Sequence, residues 1–185
     1  MIKPLIVEEI AREPERADEI WLRNVRPSDW RNPEPSGRYD LVVVGAGTGG
    51  LITSLVASSL GARVALVERH RMGGDCLNAG CVPSKALIAG AKRIHAARAA
   101  DPLASPGSAM GEPGVEEAPA IDPRDFARVM ERLRSLRARI SHEDSAERYA
   151  REFGVEVHFG EATFAGPGEL RVGDRTLAFA RAVIA

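Results

Sequence analysis

The sequence predicts an α/β fold in which a parallel sheet packs against helices and a small β-meander follows. Three observations predict it: a strand–turn–helix–strand pattern over residues 39–67, helical patterns between residues 83 and 153, and short alternating runs from residue 154 onwards. With 185 residues, 44% of them hydrophobic, the chain is long and apolar enough to bury the core of one ordinary domain.

The first 36 residues are predicted to be an N-terminal extension of a domain that occupies residues 37–185. They are rich in charge and proline, and Trp21 and Trp30 are their large aromatic side chains. We expect them to lie over the domain or to form a short helix, without a chemical role. No long apolar run precedes a cleavage site, so no signal peptide is predicted and we expect a cytoplasmic protein.

The first part of the domain is predicted to be a β-α-β unit. Residues 39–44, YDLVVV, form a β-branched run typical of a short buried strand. The stretch GAGTGG follows, and then a helix over residues 51–60 that Gly61 ends. A second strand is predicted over residues 63–67 and ends at Glu68. The two strands of such a unit are expected to lie side by side and parallel.

Residues 41–62 are uncharged and long enough to span a bilayer. The glycines within this run fit the turn and the helix end of the β-α-β unit better than they fit a membrane span. The formal net charge is −1, from 25 basic and 26 acidic residues. We therefore expect neither a membrane nor a nucleic acid as partner.

The rest of the chain is predicted to be helical and then extended. Residues 83–99 are predicted to form a helix, and residues 100–121, rich in Pro, Gly, Ala and Ser, a flexible loop. A helical signal returns over residues 123–153, where apolar residues recur every three or four positions and arginines crowd the remaining, solvated face. From residue 154 the runs VEVHF, ELRV, RTLAF and RAVIA predict the meander.

Three glycines and one acidic residue form a nucleotide-binding pattern. Gly45, Gly47 and Gly50 satisfy G-x-G-x-x-G directly after the first strand, and Glu68 ends the second strand. Gly45 allows the sharp turn, Gly47 lets a pyrophosphate approach the backbone, and Gly50 allows close packing of helix and strand. The helix N-terminus offers N–H groups to the phosphates, and Glu68 can accept hydrogen bonds from a ribose. The pattern does not distinguish NAD from FAD.

Both cysteines of the chain, Cys76 and Cys81, lie in the stretch GGDCLNAGCVPSK. Three interpretations compete: a structural disulfide, half of a metal site, and a redox-active pair. A zinc site needs four nitrogen or sulfur ligands, and the two cysteines and four histidines show no paired spacing, so no metal site is predicted. Structural disulfides are rare in the cytosol, which weakens the first interpretation.

A disulfide between Cys76 and Cys81 requires a bent chain. In an ideal helix, Cα atoms five residues apart are ~8–9 Å from each other, whereas a disulfide needs less than ~7 Å. Gly80 permits the bend, and Pro83 suits the first turn of the helix that follows. Cys81 then lies at a helix N-terminus, where a thiolate is stabilised, and Lys85 can add positive charge. These features favour a redox role over a structural one.

The stretches YDLVVVGAGTGG, VALVERH and GGDCLNAGCVPSK together resemble those of the class I, FAD-dependent pyridine nucleotide-disulfide oxidoreductases. This family includes glutathione reductase, dihydrolipoamide dehydrogenase and mercuric reductase, and CVPSK, SHEDSAERYA and GEATF are most similar to mercuric reductase. The resemblance covers about residues 38–185. It implies a Rossmann-like FAD-binding domain, a three-layer parallel sheet with helices plus a small β-meander, truncated before the NAD(P)H domain.

The resemblance also implies which residues bind FAD. The pyrophosphate would lie over residues 45–50 and the adenosine ribose on Glu68, with His70 at the rim of the adenosine site. Lys85 would lie near the reactive flavin nitrogen, and Ala162 would touch the adenine through its backbone.

The same resemblance implies roles for the cysteine stretch. Cys81 would be the thiol nearest the flavin and form the charge-transfer thiolate, and Cys76 would be the interchange thiol that meets the substrate. Electrons would pass from NADPH through FAD to the disulfide and on to a small-molecule or metal-ion substrate, with mercuric ion, lipoamide and glutathione-type disulfides all open. Asp75 replaces the family's usual threonine before the first cysteine and would bring a carboxylate beside the pyrophosphate.

The family continues past RAVIA into an NAD(P)H domain and an interface domain. We therefore expect this chain to be the front portion of a longer, homodimeric enzyme, with the NAD(P)H site outside these 185 residues. The alternatives are a truncated module that binds flavin weakly or not at all, and a nicotinamide-binding domain with incidental cysteines. No NADPH turnover is expected from the chain alone.

Overall fold

A computed structural model of the protein describes residues 16–99 and 123–185. The predicted loop over residues 100–121 lies outside them. The helices of the described residues are α1 (Ala17–Val25), α2 (Thr48–Ser59), α3 (Gly74–Asn78), α4 (Cys81–Ala99), α5 (Pro123–Ser141) and α6 (Ala146–Glu152). The strands are β1 (Arg38–Val44), β2 (Val64–Glu68), β3 (Glu156–Phe159), β4 (Ala162–Gly166), β5 (Glu169–Val172) and β6 (Arg175–Ile184).

The strands form one six-stranded sheet in the order β3-β2-β1-β6-β5-β4. β1 lies parallel to β2 on one side and to β6 on the other, and β3 lies parallel to β2. β4, β5 and β6 are antiparallel neighbours and form a meander. The predicted β-α-β unit is confirmed, because Leu41 pairs with Val64 and Val44 with Val67.

The run VEVHF, predicted to begin the meander, belongs to the parallel sheet instead. β3 lies beside β2, with Leu66 opposite Val157 and Val67 opposite His158. Val157 and His158 are both buried, because the sheet is covered on both faces. A short run of this kind shows which of its faces are covered but not which strand it pairs with.

Each face of the parallel sheet carries its own core. On one face Val43 and Leu66 pack with buried residues of α1, α3 and α6, which together we call the helix-side core. On the other face Val42 and Ala65 pack with Leu170 and other residues of the meander. The predicted α/β fold is thus confirmed, with helices, parallel sheet and meander as its three layers.

The helix boundaries depend on caps that the periodicity does not show. α2 begins three residues earlier than predicted, with Gly47 as its N-cap. The helical signal over residues 123–153 is divided, because α5 ends at Ser141 and α6 begins after Ser145. The Ser145 hydroxyl accepts a hydrogen bond from the Arg148 amide at 3.2 Å and so starts a new helix.

The uncharged run over residues 41–62 is divided between β1, the glycines that follow it and α2. No helix within residues 16–99 and 123–185 has both the length and the apolar character needed to cross a membrane.

The described part of the N-terminal extension is built into the fold. α1 buries its apolar face in the helix-side core. Further along, Trp30 donates its indole N–H to the carbonyl of Val157 at 3.2 Å. The Asn32 side-chain amide bonds to both the carbonyl and the N–H of Phe159, at 2.8 and 2.7 Å. These contacts cover the outer edge of β3, where backbone groups would otherwise lack partners.

Candidate functional site

The turn that follows β1, residues 45–50, is called the glycine turn below. Gly45 has a φ of 101°, and a Cβ there would lie 2.2 Å from the carbonyl oxygen of Ala185. A Cβ on Gly50 would lie 1.8 Å from the carbonyl oxygen of Gly45. Both distances are far shorter than a van der Waals contact, so only glycine allows the strand, the turn and the helix to approach this closely.

Gly47 differs from these two glycines. Its φ of −72° and ψ of −178° suit any residue, and no side chain caps α2 at this end. A Cβ there would meet nothing nearer than the Cα of Gly74, at 4.0 Å. The N-terminus of α2, with its unpaired N–H groups and partial positive charge, is therefore approachable from the Gly47 side.

Glu68 lies at the mouth of the glycine turn and is 8% exposed. Its Oε2 accepts a hydrogen bond from the Ala46 amide at 2.8 Å, and its Oε1 accepts one from the His70 amide at 2.6 Å. Each oxygen keeps a second lone pair. The carboxylate thus holds the turn in place and can still accept hydrogen bonds from a ligand.

A cavity of about 480 Å³ opens beside the glycine turn, the end of β2 and the start of α3. Of the residues predicted to bind a cofactor, its lining includes Gly45, Gly47, Glu68, Asp75 and Ala162. Those outside the lining are Gly50, His70 and Lys85. Gly50 packs behind the turn, whereas the side chains of the other two are exposed.

Sequence reasoning missed other parts of this cavity. Gly74, with a φ of 53°, lies so close to the turn that a Cβ on it would be 2.6 Å from the Cα of Gly47. Gly160, with a φ of 152°, and Glu161 line the far side. The paired glycines before the first cysteine were the available signal, because two adjacent glycines mark a close backbone approach.

The chain bends between the two cysteines, as a disulfide between them would require. Cys76 lies in α3, which ends at Asn78, and Cys81 begins α4. The carbonyl of Asp75 accepts hydrogen bonds from the amides of Ala79 and Gly80, at 2.9 and 2.5 Å, and so closes the bend. Both cysteines are unpaired thiols; Cys76 is half-buried and Cys81 is exposed.

The two thiols interact with each other and with the glycine turn. A hydrogen bond between Cys76 and Cys81 is the main reason that the pKa of the Cys76 thiol is raised, and burial raises it further. The Thr48 hydroxyl, which hydrogen-bonds to Cys76, and the charge of Lys85 act in the opposite direction. Through its hydrogen bond to Cys76, Thr48 joins the thiol pair to the glycine turn in a single site.

In the parts of the chain that the structure describes, no three His, Cys, Asp or Glu side chains come together as a metal site.

The sequence of this chain is similar to those of known oxidoreductases. The model of the pyridine nucleotide-disulphide oxidoreductase family matches residues 39–185. The mercuric reductase of Streptomyces lividans is 38% identical over 133 residues, which are 70% of this chain and 25% of that protein. The dihydrolipoyl dehydrogenase of Halobacterium salinarum is 34% identical over 152 residues, 78% of this chain and 29% of that protein.

Among solved structures, the HOCl-induced flavoprotein disulfide reductase RclA from Escherichia coli has a similar fold. The TM-score is 0.57 at 21% identity, over 80% of this chain and 28% of that one. The chain thus spans between a quarter and a third of the length of these relatives. Since the family model covers most of the sequence, the resemblance read from the glycine and cysteine stretches is confirmed: the chain belongs to the pyridine nucleotide-disulphide oxidoreductase family.

Proposed function

We propose that the chain is the flavin-binding, redox-disulfide portion of an NAD(P)H-dependent flavoprotein disulfide reductase. The observation that carries the proposal is the thiol pair beside the glycine turn, where Cys76 forms hydrogen bonds with Cys81 and with the Thr48 hydroxyl. A nucleotide-binding turn next to two thiols brings a bound electron carrier within reach of a disulfide.

The residues that line the cavity fit FAD. The open N-terminus of α2 at Gly47 suits the pyrophosphate, and the free lone pairs of Glu68 suit the ribose hydroxyls. We assign the adenine to the side of Ala162, which lines the cavity, with His70, outside the lining, near the adenosine. Asp75 lines the same cavity and follows Gly74, which packs against Gly47, so its carboxylate is expected to repel the pyrophosphate there and to weaken its binding. When bound, the flavin supplies a two-electron carrier between NAD(P)H and the disulfide.

The two thiols take different parts in the reaction that we propose. Reduction of the Cys76–Cys81 disulfide takes up two electrons and two protons and leaves the dithiol. Cys81 begins α4, where the partial positive charge of a helix N-terminus favours an anion, and Lys85 lies one turn further along. We therefore assign Cys81 as the thiolate next to the flavin and Cys76 as the thiol that exchanges with the substrate.

Solvent exposure by itself favours the opposite assignment, with Cys81 as the thiol that meets the substrate, because Cys81 is exposed and Cys76 is half-buried. Limited alkylation of the full-length, flavin-loaded parent in its reduced state, followed by peptide mass mapping, decides between the two. Labelling that falls mainly on Cys76 supports the assignment, and labelling mainly on Cys81 reverses it.

The acceptor that we propose is one that a dithiol reduces, either a disulfide or mercuric ion. Relatives named mercuric reductase and dihydrolipoyl dehydrogenase match with similar identity, 38% and 34%, and so support both. Because the chain spans 25% and 29% of these relatives, we assign the NAD(P)H site and the dimer interface to a longer, homodimeric parent. The cytosol, a reducing compartment, suits a disulfide that must be reopened in every cycle.

A second candidate is a flavin-binding module without turnover, which the short span of the chain favours. Steady-state oxidation of NADPH by the 185-residue chain separates the two candidates for the chain itself. We expect no turnover, and measurable turnover contradicts the module.

The main proposal is tested on the chain by flavin binding and thiol titration. FAD fluorescence is expected to be quenched on addition of the chain, and Glu68→Gln is expected to weaken the binding because an amide accepts ribose hydrogen bonds less well than a carboxylate. Ellman's reagent is expected to find two thiols after reduction and none after oxidation, with Cys76→Ser as control. A chain that neither binds FAD nor loses its thiols on oxidation contradicts the proposal.

A further inference from the structure

Asn78, which lies between the two cysteines, is held at both ends of its side-chain amide. Its Oδ1 accepts a hydrogen bond from the indole N–H of Trp21 at 2.8 Å. Its Nδ2 donates to the carbonyls of Met72 and Gly74, at 3.0 and 2.7 Å. The amide therefore joins α1 of the N-terminal extension to the segment that carries Cys76.

A second contact reaches the same residue from α5. Arg137 donates from Nη1 to the backbone carbonyl of Asn78 at 3.3 Å. The Arg137 guanidinium lies 3.8 Å from the centre of the Trp21 ring, and its Nη2 bonds to Asp18 of α1 at 2.8 Å. Only 15% of the Arg137 side chain is exposed, so these contacts are largely shielded from water. Trp21, Arg137 and Asn78 are called the brace below.

Helix α1, which carries Trp21, has a deeply buried face and lies outside the family match. Ala17, Ile20 and Val25 of α1 are 0%, 2% and 0% exposed, and the Val25 carbonyl accepts a hydrogen bond from the Met72 amide at 3.0 Å. The family model begins only at residue 39. The extension therefore adds a support to the cysteine segment that the matched residues do not contain.

We propose that Trp21 is a positioning residue for the redox pair: through Asn78 it holds Cys76 and Cys81 at the separation from which the disulfide forms. The proposal rests on the redox role of the cysteines proposed above. Two thiols that are held close together have a high effective concentration, which favours their disulfide. When the brace is lost, the segment between them gains conformational freedom, and closing the disulfide then costs more entropy.

The experiment measures the dithiol–disulfide equilibrium of the 185-residue chain in glutathione buffers. Oxidation forms the Cys76–Cys81 bond and converts one glutathione disulfide into two glutathione thiols, so electrons and protons balance. The thiols are trapped with a maleimide, and the two states are counted by mass. Trp21→Phe keeps an aromatic ring in the core but removes the N–H donor to Asn78.

The matched control is Trp30→Phe, which also removes one indole N–H bond, the one to Val157 at 3.2 Å, at the edge of β3. We expect Trp21→Phe to lower the equilibrium constant for disulfide formation about 3- to 10-fold, a rise of about 15 to 30 mV in the reduction potential. We expect Trp30→Phe to leave the potential unchanged.

A second pair of variants keeps the test decisive if Trp21→Phe does not fold. Arg137 and Arg134 both pair with Asp18, at 2.8 and 3.6 Å, and it is Arg137 that bonds to Asn78. Arg137→Gln is therefore expected to raise the potential, and Arg134→Gln to leave it at the wild-type value.

The possible outcomes separate the brace from the redox role. A wild-type chain that forms no disulfide at any glutathione ratio contradicts the proposed function itself. A wild-type chain that forms the disulfide, with Trp21→Phe and Arg137→Gln at the same potential as their controls, overturns the brace. Equal shifts in all four variants also overturn it, because they indicate general loosening of the fold.

Discussion

The glycine turn and the cysteine segment, residues 72–81, lie against each other, but different forces shape them. In the glycine turn, backbone atoms approach so closely that a Cβ on Gly50 would lie 1.8 Å from the carbonyl oxygen of Gly45. In the cysteine segment, the geometry depends on side chains from other elements, since Trp21 and Arg137 both bond to Asn78.

The two regions differ in how far the sequence nearby determines their structure. Gly45 and Gly50, whose close approach shapes the glycine turn, are five positions apart, so a short pattern identifies it. Two of the residues that bond to Asn78, Trp21 and Arg137, are 57 and 59 positions away in the chain. A motif of thirteen letters therefore identifies the thiol pair, while helices α1 and α5 decide how it is held.

The largest effect is expected from Gly50→Ala. The new Cβ would overlap a backbone carbonyl that cannot move without displacing β1, so we expect a loss of about 4 kcal/mol or more in the free energy of unfolding. Urea denaturation measures it. The control is Gly61→Ala, where a Cβ meets nothing within 4 Å and only the φ of 86° opposes the change, at about 1–2 kcal/mol. A Gly50→Ala chain as stable as the control would show that sterics do not decide the turn.

A smaller loss is expected from Asn78→Ala in the cysteine segment. The change leaves the Trp21 indole N–H and the carbonyls of Met72 and Gly74 without their partner. We expect the free energy of unfolding to fall by about 2 to 4 kcal/mol. Asn24→Ala, which removes one hydrogen bond to Ser141 at 2.9 Å, is expected to cost about 1 kcal/mol. Equal losses in the two variants contradict the special role of Asn78.

Acid is expected to weaken the sheet that carries both regions. Burial is the main cause that lowers the pKa of His158 from 6.5 to about 4, with Glu156 and Glu34 opposing and Arg175 adding to the shift. The unfolded chain binds a proton near pH 6.5, and the folded chain binds it only near pH 4. With respect to this histidine, the free energy of unfolding is therefore highest above pH 6.5. It falls by about 2 to 3 kcal/mol as the pH drops towards 4.

Denaturation across this pH range checks the prediction. His158→Leu is expected to flatten the dependence, and His95→Gln, which changes an exposed histidine, is expected to retain it. An unchanged slope in His158→Leu assigns the acid sensitivity to other groups. The stability losses of the variants in the glycine turn and the cysteine segment are therefore best compared above pH 6.5, where His158 does not change its protonation on unfolding.

The smallest effect on stability, and the clearest effect on binding, is expected from Gly47→Ala. The backbone of Gly47 suits any residue, and the nearest atom to a new Cβ is 4.0 Å away, so the free energy of unfolding is expected to change by less than about 1 kcal/mol. The methyl group would occupy the space through which a pyrophosphate approaches α2, so FAD affinity is expected to fall at least about tenfold. Flavin fluorescence titration measures it, and undiminished affinity contradicts the assigned phosphate site.

Much of the candidate site could be predicted from short stretches of sequence. The order of β1, glycine turn, α2 and β2 follows from a β-branched run, a glycine pattern and a second apolar run. The position of Glu68 at the mouth of the turn follows from the end of β2. The bend between Cys76 and Cys81 follows from disulfide geometry, because a straight helix holds positions five apart too far from each other.

Tertiary contacts decided the rest. The pairing of β3 with β2, the approach of Gly74 to Gly47 and the bond from Trp21 to Asn78 are not visible in the residues themselves. Local periodicity records which faces of an element avoid water, and this is a property of neighbouring residues. The choice of partner depends on which distant surfaces fit together when the chain collapses, and a single sequence carries no direct mark of that fit.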